Sequence, residues 1–118
     1  MTSKANTIIH DSTGQALVTK LRHADSYFTR LRGLIGSPPL ALQEGILISP
    51  CKQVHTHFMK YSIDVVFLDK HLTVINKIEA MPPWRVSSYV AVARYVLELP
   101  AYTAQDLEPA DQLRLETR

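Results

Sequence analysis

The sequence has little of several features that normally assign a protein to a class. Cys51 is the only cysteine among 118 residues, so no internal disulfide can form, and a reduced thiol in a reducing compartment is the simpler interpretation. No stretch approaches the roughly 20 apolar residues that span a bilayer, and the first residues lack the apolar core of a secretory signal. We therefore expect a cytoplasmic protein without a membrane span, provided that the printed N-terminus is complete.

Neither the basic residues nor the glycines are clustered in the sequence. The 13 lysines and arginines face 11 acids, for a net charge of +2, and the basic residues form no long run. A nucleic-acid-binding protein normally concentrates its basic residues, and we therefore expect no nucleic-acid partner. The four glycines are dispersed and form no G-x-G-x-x-G or Walker loop, which argues against nucleotide binding by either loop.

What is present fits one ordinary domain. The hydrophobic fraction of 46% and the charged fraction of 20% are near those of globular proteins, and the length is enough to bury one core. We divide the chain into an N-terminal segment, 1–14, that could be flexible, and a single β-rich domain, 15–118.

Short apolar or alternating stretches dominate this domain. They predict strands at 15–24, 45–49, 52–59, 63–69, 72–78, 89–100 (as one strand or two) and 111–116. Helical spacing predicts a short helix over 25–36 and one helical turn at 104–107. Lys70 and His71 separate two of the strands, a spacing typical of a β-hairpin. They are poor type I′ turn residues, so a longer loop is an alternative.

These elements predict a mainly β fold. Strands outnumber helices, and no long amphipathic helices separate the strands, which argues against a parallel βαβ sheet. We expect a compact antiparallel sandwich or barrel-like sheet with one or two short helices, of which the 25–36 helix covers one open end.

The predicted strand 52–59 carries soft side chains. If it is regular, Cys51, His55, His57 and Met59 share one face, and their thiolate, imidazole and thioether groups would suit zinc or copper. Residues along one straight strand cannot all meet a single ion, so His55 and His57 would supply at most two ligands. The spacings of structural zinc sites are also absent. We therefore expect no cofactor, with zinc or copper as the alternative.

Cys51 and His55 offer a second possibility, because a nearby imidazolium would favour a reactive thiolate. A free cysteine is more often a buried packing residue, and neither a glycine elbow nor a helix N-terminus follows Cys51 to build an oxyanion hole. Packing is the favoured interpretation, and thiol chemistry stays an alternative.

Carboxylates and one loop complete the set of candidates. Asp64 interrupts an apolar strand, and a buried acid needs a partner, so we expect a structural pair with Arg32 or Arg85 rather than a catalytic role. The other carboxylates, among them Glu98, are expected at strand ends on a solvated rim. Trp84 and Arg85 form a binding rim on a loop, or else Trp84 caps the core.

Four ordered blocks resemble a known family. They are RLRGLIG (30–36), EGILISPCKQVHTHFMKYSIDVVFLDK (44–70), VLELPAY (96–102) and PADQL (109–113), and together they resemble the prokaryotic family named domain of unknown function 192. One branch of that family has the pattern Cys-x3-His-Thr-x2-Met-x4-Asp, matched here by Cys51, His55, Thr56, Met59 and Asp64. The resemblance implies a compact sandwich-like or barrel-like β domain with a small helix, and no established activity. Another branch lacks the cysteine and histidine, which weakens the metal and thiol alternatives.

The chain departs from this family in three turns. Where typical members have turn glycines, it has Leu72, Tyr102 and Ala110. A glycine that serves a positive φ angle is costly to replace, so we expect either rebuilt loops or different turn types.

The favoured function is a small binding or accessory module without enzymatic activity. Polar, soft and charged groups beside an apolar sheet suit a shallow ligand site, and the candidate face consists of Arg32, His55, Thr56, Met59, Asp64 and Arg85. The partner would be a small ligand, a peptide or a protein. The alternatives are a metal-binding or thiol-dependent enzyme that uses Cys51, His55 and His57, and a structural subunit of a larger assembly.

Overall fold

Eight β-strands follow one another along the chain. The structure, a computed structural model, describes residues 4–26, 30 and 33–118. The strands are β1 (Thr7–His10), β2 (Gln15–Val18), β3 (Lys20–Ala24), β4 (Glu44–Ile48), β5 (Ile63–Leu68), β6 (Val74–Met81), β7 (Tyr95–Pro100) and β8 (Leu113–Glu116).

The strands form two sheets. A three-stranded sheet has the order β2-β1-β8, and a five-stranded sheet has the order β3-β4-β7-β5-β6. Every pairing is antiparallel except that of β3 with β4, which is parallel. The predicted mainly β fold is confirmed. The larger sheet is mixed, and neither sheet closes into a barrel within the residues described.

The predicted strand 15–24 is two strands that belong to different sheets. Thr19 separates β2 from β3, and the backbone amides of Thr19 and Lys20 both donate to the carbonyl of Gln43, at 2.9 and 3.0 Å. This break lets the chain leave the small sheet and enter the large one. β1 lies within the N-terminal segment 1–14, where no strand was predicted, and its four residues are all buried.

The core lies on both faces of the five-stranded sheet, because successive side chains of a strand point to opposite faces. In β5, Val65 and Phe67 belong to one apolar cluster and Val66 and Leu68 to the other. The three-stranded sheet covers the second cluster through residues such as Ile8 and Leu113. The loops between the strands cover the first cluster, and the candidate site lies on that side.

Helical structure is limited in the described residues. Five residues of the predicted helix 25–36, namely 27–29 and 31–32, lie outside them, and residues 33–36 form turns where the helix was predicted to continue. Arg30 is helical, and its amide donates to the carbonyl of Ser26 at 3.0 Å. Residues 104–107 form a hydrogen-bonded turn, in which the Leu107 amide donates to the Ala104 carbonyl at 3.1 Å, instead of the predicted helical turn.

The three turns that lack glycine keep a glycine-like backbone. Leu72, Tyr102 and Ala110 have φ angles of 65°, 68° and 77°. The β5–β6 hairpin, for example, closes through a loop in which Leu72 adopts this conformation and its amide donates to the carbonyl of Asp69 at 3.0 Å. These residues therefore adopt left-handed conformations that L side chains disfavour.

Candidate functional site

Segment 52–59 pairs with 84–90 in a narrow ribbon outside both sheets. The Thr56 amide donates to the Arg85 carbonyl at 2.8 Å, and the Ser87 amide donates to the Val54 carbonyl at 2.9 Å. Only an isolated bridge, between His55 and Val86, has strand geometry there, so the predicted regular strand is wrong. The ladder does not extend, because Pro82 and Pro83 precede the partner segment and have no amide hydrogen to donate.

The predicted alternation holds for part of this segment and then reverses. Val54 and Thr56 are buried and His55 is exposed, so these residues alternate as in a strand, but Phe58 is 66% exposed and Met59 is 5% exposed. The reversal follows from the backbone, because Phe58 has a φ of 67° and turns the chain. Met59 therefore points into the core side of the ribbon.

Thr56 holds the two halves of the ribbon together. Its hydroxyl donates to the Pro82 carbonyl at 2.6 Å and accepts from the Arg85 amide at 2.9 Å, and its carbonyl accepts from the Trp84 amide at 3.0 Å. The side chain is fully buried. Thr56 thus fixes the loop that presents Trp84 and Arg85 and is not itself accessible to a ligand.

The outer face of the ribbon carries four neighbouring rings, which we call the aromatic shelf: His55, His57, Phe58 and Trp84. Their centroids lie 5.0 Å apart for His55 and His57, 5.5 Å for His57 and Trp84, and 4.8 Å for Phe58 and Trp84. Trp84 is 56% exposed and has a φ of 63°. It belongs to a rim and does not cap the core.

A cavity of about 350 Å³ opens behind the ribbon. The turn 33–35 and the segment 50–55 form two of its walls, and the remaining lining residues are Arg30, Ile48, Met59, Tyr89 and Glu98. A second cavity, also about 350 Å³, lies beside it between residues 36–39 and 58–61. Leu34 and Met59 line both cavities and so divide them.

Glu98 is the carboxylate of the first cavity. It lies in β7 on the same sheet face as Val96, is only 4% exposed, and pairs with Val65 of β5. Burial raises the pKa of Glu98 to about 7, against the opposing influence of the Arg22 charge. The expectation of a solvated rim position was wrong for this residue. Near neutral pH its carboxyl group can therefore be present in either protonation state.

Two more polar groups face this cavity. The Cys51 thiol is half-buried and donates to the Gln53 carbonyl at 3.2 Å. Burial is the main cause that raises the pKa of this thiol, and the charge of Glu98 raises it further. Arg30 donates through Nη1 to the Pro50 carbonyl at 3.3 Å, while its buried Nε has no hydrogen-bond partner in the part of the chain described.

The proposed metal ligands point to different places. Cys51 lines the cavity, whereas the His57 ring lies beside Trp84 on the shelf, with centroids 5.5 Å apart. Among the described residues, no three His, Cys, Asp or Glu side chains come together as a metal site would require. The zinc or copper alternative therefore has no ready-made ligand set in this part of the chain.

Asp64 lies on the other face of the large sheet. Its carboxylate is fully buried and accepts the backbone amides of Ala80, Tyr102 and Ala104 at 2.7, 3.0 and 2.8 Å. These amides stabilise the buried carboxylate, a role that we expected Arg32 or Arg85 to have. No ion pair joins Asp64 to Arg85 in the described chain, and Arg32 lies outside the described residues.

The predicted face is thus divided by the fold. His55 and Met59 line the first cavity, Arg85 is exposed on the ribbon, Thr56 lies beneath it, and Asp64 faces the opposite side of the sheet. Glu98 was missed as a site residue. The signal was available, since an acid inside the apolar run VLELP resembles Asp64 inside IDVVFL.

The fold and the cavity define a mainly β domain of two packed sheets with a side pocket. The sequence profile of the family DUF192, described as Uncharacterized ACR, matches residues 8–115, and the chain belongs to that family. This chain is 32% identical over 109 residues to the UPF0127 protein PH1112 of Pyrococcus horikoshii, and the match covers 86% of this chain and 90% of that protein.

Two crystal structures share the fold. A protein of unknown function from Novosphingobium aromaticivorans superposes with a TM-score of 0.78 at 17% identity, covering 92% of this chain and 81% of that one. A Sinorhizobium meliloti protein superposes with a TM-score of 0.77 at 21% identity, covering 98% and 97%. At these identities the likeness shows the fold alone. No helix in the described residues is long and apolar enough to cross a membrane.

Proposed function

We propose that this protein is a non-enzymatic binding module that holds a small molecule in the Glu98 cavity. The observation that carries the proposal is Glu98 itself, a carboxyl group that is 4% exposed and lines a cavity of about 350 Å³. Burying an acid without a charged or hydrogen-bonding partner is costly. A ligand that brings a donor or a positive charge to Glu98 recovers part of that cost.

The walls indicate the rest of the ligand. Leu34, Ile48, Val54 and Met59 are buried apolar residues that line the same cavity, and cavities of this size suit small molecules with an apolar body. The unpaired Nε of Arg30 would donate to an acceptor. We therefore expect a ligand of amino-acid type, in which an amine faces Glu98, a carboxylate faces Arg30 and an aliphatic body contacts the walls.

Binding is favoured over thiol catalysis because of Cys51. A nucleophilic cysteine needs a lowered pKa, whereas burial raises the pKa of this thiol. Of the sequence-predicted face, His55 and Met59 remain part of the proposed site, while Thr56 positions the ribbon.

The test uses three probes with the same aliphatic body: leucine, isoamylamine and isocaproate. Binding is followed by amide chemical shifts of residues 51–55 and 96–99. We expect leucine to bind most tightly and isocaproate least tightly. The affinity for isoamylamine should fall about tenfold per pH unit below about pH 7, as Glu98 becomes protonated.

Glu98→Gln should abolish the preference for the amine, and the exposed control Glu108→Gln should leave it unchanged. Equal shifts from all three probes, or shifts confined to the opposite sheet face, would contradict the proposal.

A further inference from the structure

The two segments that build the ribbon contain cations and no acids. Residues 50–62 and 80–97 include Lys52, Lys60, Arg85 and Arg94, but none of the 11 aspartates and glutamates of the chain. Hydrogen bonds join the segments: the Thr56 amide donates to the Arg85 carbonyl at 2.8 Å, and the Cys51 amide donates to the Arg94 carbonyl at 3.1 Å. Neither segment alone has a basic run, which is why the sequence led us to expect no nucleic-acid partner; the pairing of the segments is the reason to propose one.

Three of these cations are exposed and take part in no ion pair within the described chain: Lys60, Arg85 and Arg94. Arg94 is distant in sequence from the rings of the aromatic shelf, whereas Lys60 is close to Phe58 and Arg85 is close to Trp84. Lys52 differs, because its ammonium group already donates to the carbonyls of Ala91 and Ala93.

The rings themselves are held outward at a conformational cost. Phe58 and Trp84 both have left-handed φ angles, 67° and 63°, a conformation that residues with a side chain disfavour. Both remain more than half exposed in spite of their size. Five other non-glycine residues of the described chain also have positive φ angles, but at Phe58 and Trp84 this backbone presents two large rings to solvent beside positive charge.

We propose that the aromatic shelf binds single-stranded nucleic acid, with bases stacked on Trp84 and Phe58 and phosphates beside Lys60 and Arg85. Exposed aromatic rings on which bases can stack, next to cations that meet the phosphates, are the chemistry by which proteins bind unpaired strands. The succession of four ring centroids at spacings of 5.0, 5.5 and 4.8 Å extends beyond a single base. The shelf therefore fits a strand better than a free nucleotide. His55 belongs both to this shelf and to the lining of the cavity, but Glu98, which carries the proposed function, is not part of the shelf.

Trp84 is the only tryptophan, so its fluorescence reports occupancy of the shelf directly. The probes are an oligothymidylate of about 12 nucleotides, within the range bound by known single-strand domains, together with thymidine monophosphate, a neutral maltooligosaccharide and a proline-rich peptide. We expect the oligonucleotide to quench Trp84 and to bind at least about tenfold more tightly than the mononucleotide. Its affinity should fall with salt, with a log–log slope near −1.4 for about two phosphate contacts.

Variants separate stacking from charge. Phe58→Ala should weaken oligonucleotide binding about tenfold, and Lys60→Gln with Arg85→Gln should flatten the salt dependence. Tyr102→Ala is the matched control, because Tyr102 is also an exposed aromatic residue with a positive φ angle, 68°, but makes no ring contact with the shelf.

Glu98→Gln should bind the oligonucleotide as the wild type does, which distinguishes this site from the cavity. Three results would overturn the proposal. The sugar or the peptide could quench Trp84 while the oligonucleotide does not, the mononucleotide could bind as tightly as the oligonucleotide, or Phe58→Ala could bind the oligonucleotide as tightly as the wild type does.

Discussion

The carboxylate of Asp64 accepts the backbone amide of Ala80 at 2.7 Å, and Ala80 has a left-handed φ angle of 50°. The same oxygen accepts the amide of Tyr102, whose φ is 68°. One buried acid therefore stabilises two strained turns that lie 16 and 38 residues away in sequence. A structural role accounts for Asp64 fully, which removes it from the candidate site.

Asp64→Asn should destabilise the fold by about 3 kcal/mol. An asparagine can accept on one side only, so its amino group would face one of the three backbone amides and leave a buried donor unpaired. The free energy of unfolding in urea measures the loss. The exposed control Asp106→Asn should change it by less than about 0.5 kcal/mol. A similarly small change for Asp64→Asn would show that the three amides do not depend on its charge.

Ala110→Gly should stabilise the protein by about 1 kcal/mol. Ala110 is exposed and has a φ of 77°, and glycine adopts this conformation without the steric cost that alanine bears. Ala91→Gly is the matched control, since Ala91 is also exposed but has no positive φ angle, and it should destabilise by about 0.5–1 kcal/mol. Urea unfolding of both variants tests the difference. A loss of stability in both would mean that the turn at Ala110 is not strained.

The strands of the large sheet could largely be predicted, and the pairing that makes the site could not. Alternation in a stretch such as IDVVFL identifies an extended backbone, whatever its partner is. The same alternation in 52–57 predicts which side chains are buried. The segment nevertheless forms no regular strand, because Pro82 and Pro83 precede its partner segment, 84–90. β1 was missed because TIIH is too short to show a period. Asp64 and Glu98 both interrupt apolar strands, but only the fold reveals that backbone amides satisfy the first and that a cavity borders the second.

Glu98 should make stability fall as pH rises. Its pKa is about 7 in the folded protein against an ordinary value of 4.5, so the folded state binds more protons than the unfolded state between these values. The free energy of unfolding therefore decreases with pH through this window, by on the order of 3 kcal/mol, and stays reduced above about pH 7. Urea unfolding at intervals from about pH 5 to about pH 8 measures the slope.

The variant Glu98→Gln isolates this effect, because glutamine has a similar shape and does not ionise. We expect the variant and the wild type to have nearly the same free energy of unfolding at about pH 5. At about pH 8 the free energy of unfolding of the variant should be higher by roughly 3 kcal/mol. Glu108→Gln is exposed and should follow the wild-type profile throughout. An unchanged pH slope in Glu98→Gln would show that this carboxyl group ionises as it does in water.

Cys51 should react slowly with iodoacetamide in the native protein. The thiolate is the reacting species, and burial and the Glu98 charge both raise the pKa of this thiol. We expect alkylation near pH 8 to be slower in the folded protein than in urea, where the thiol is free. Glu98→Gln should accelerate the native reaction, since it removes one of the two causes, whereas Glu108→Gln should leave the rate unchanged. A native thiol that reacts faster than the unfolded one would restore the nucleophile alternative, because only a lowered pKa would produce that result.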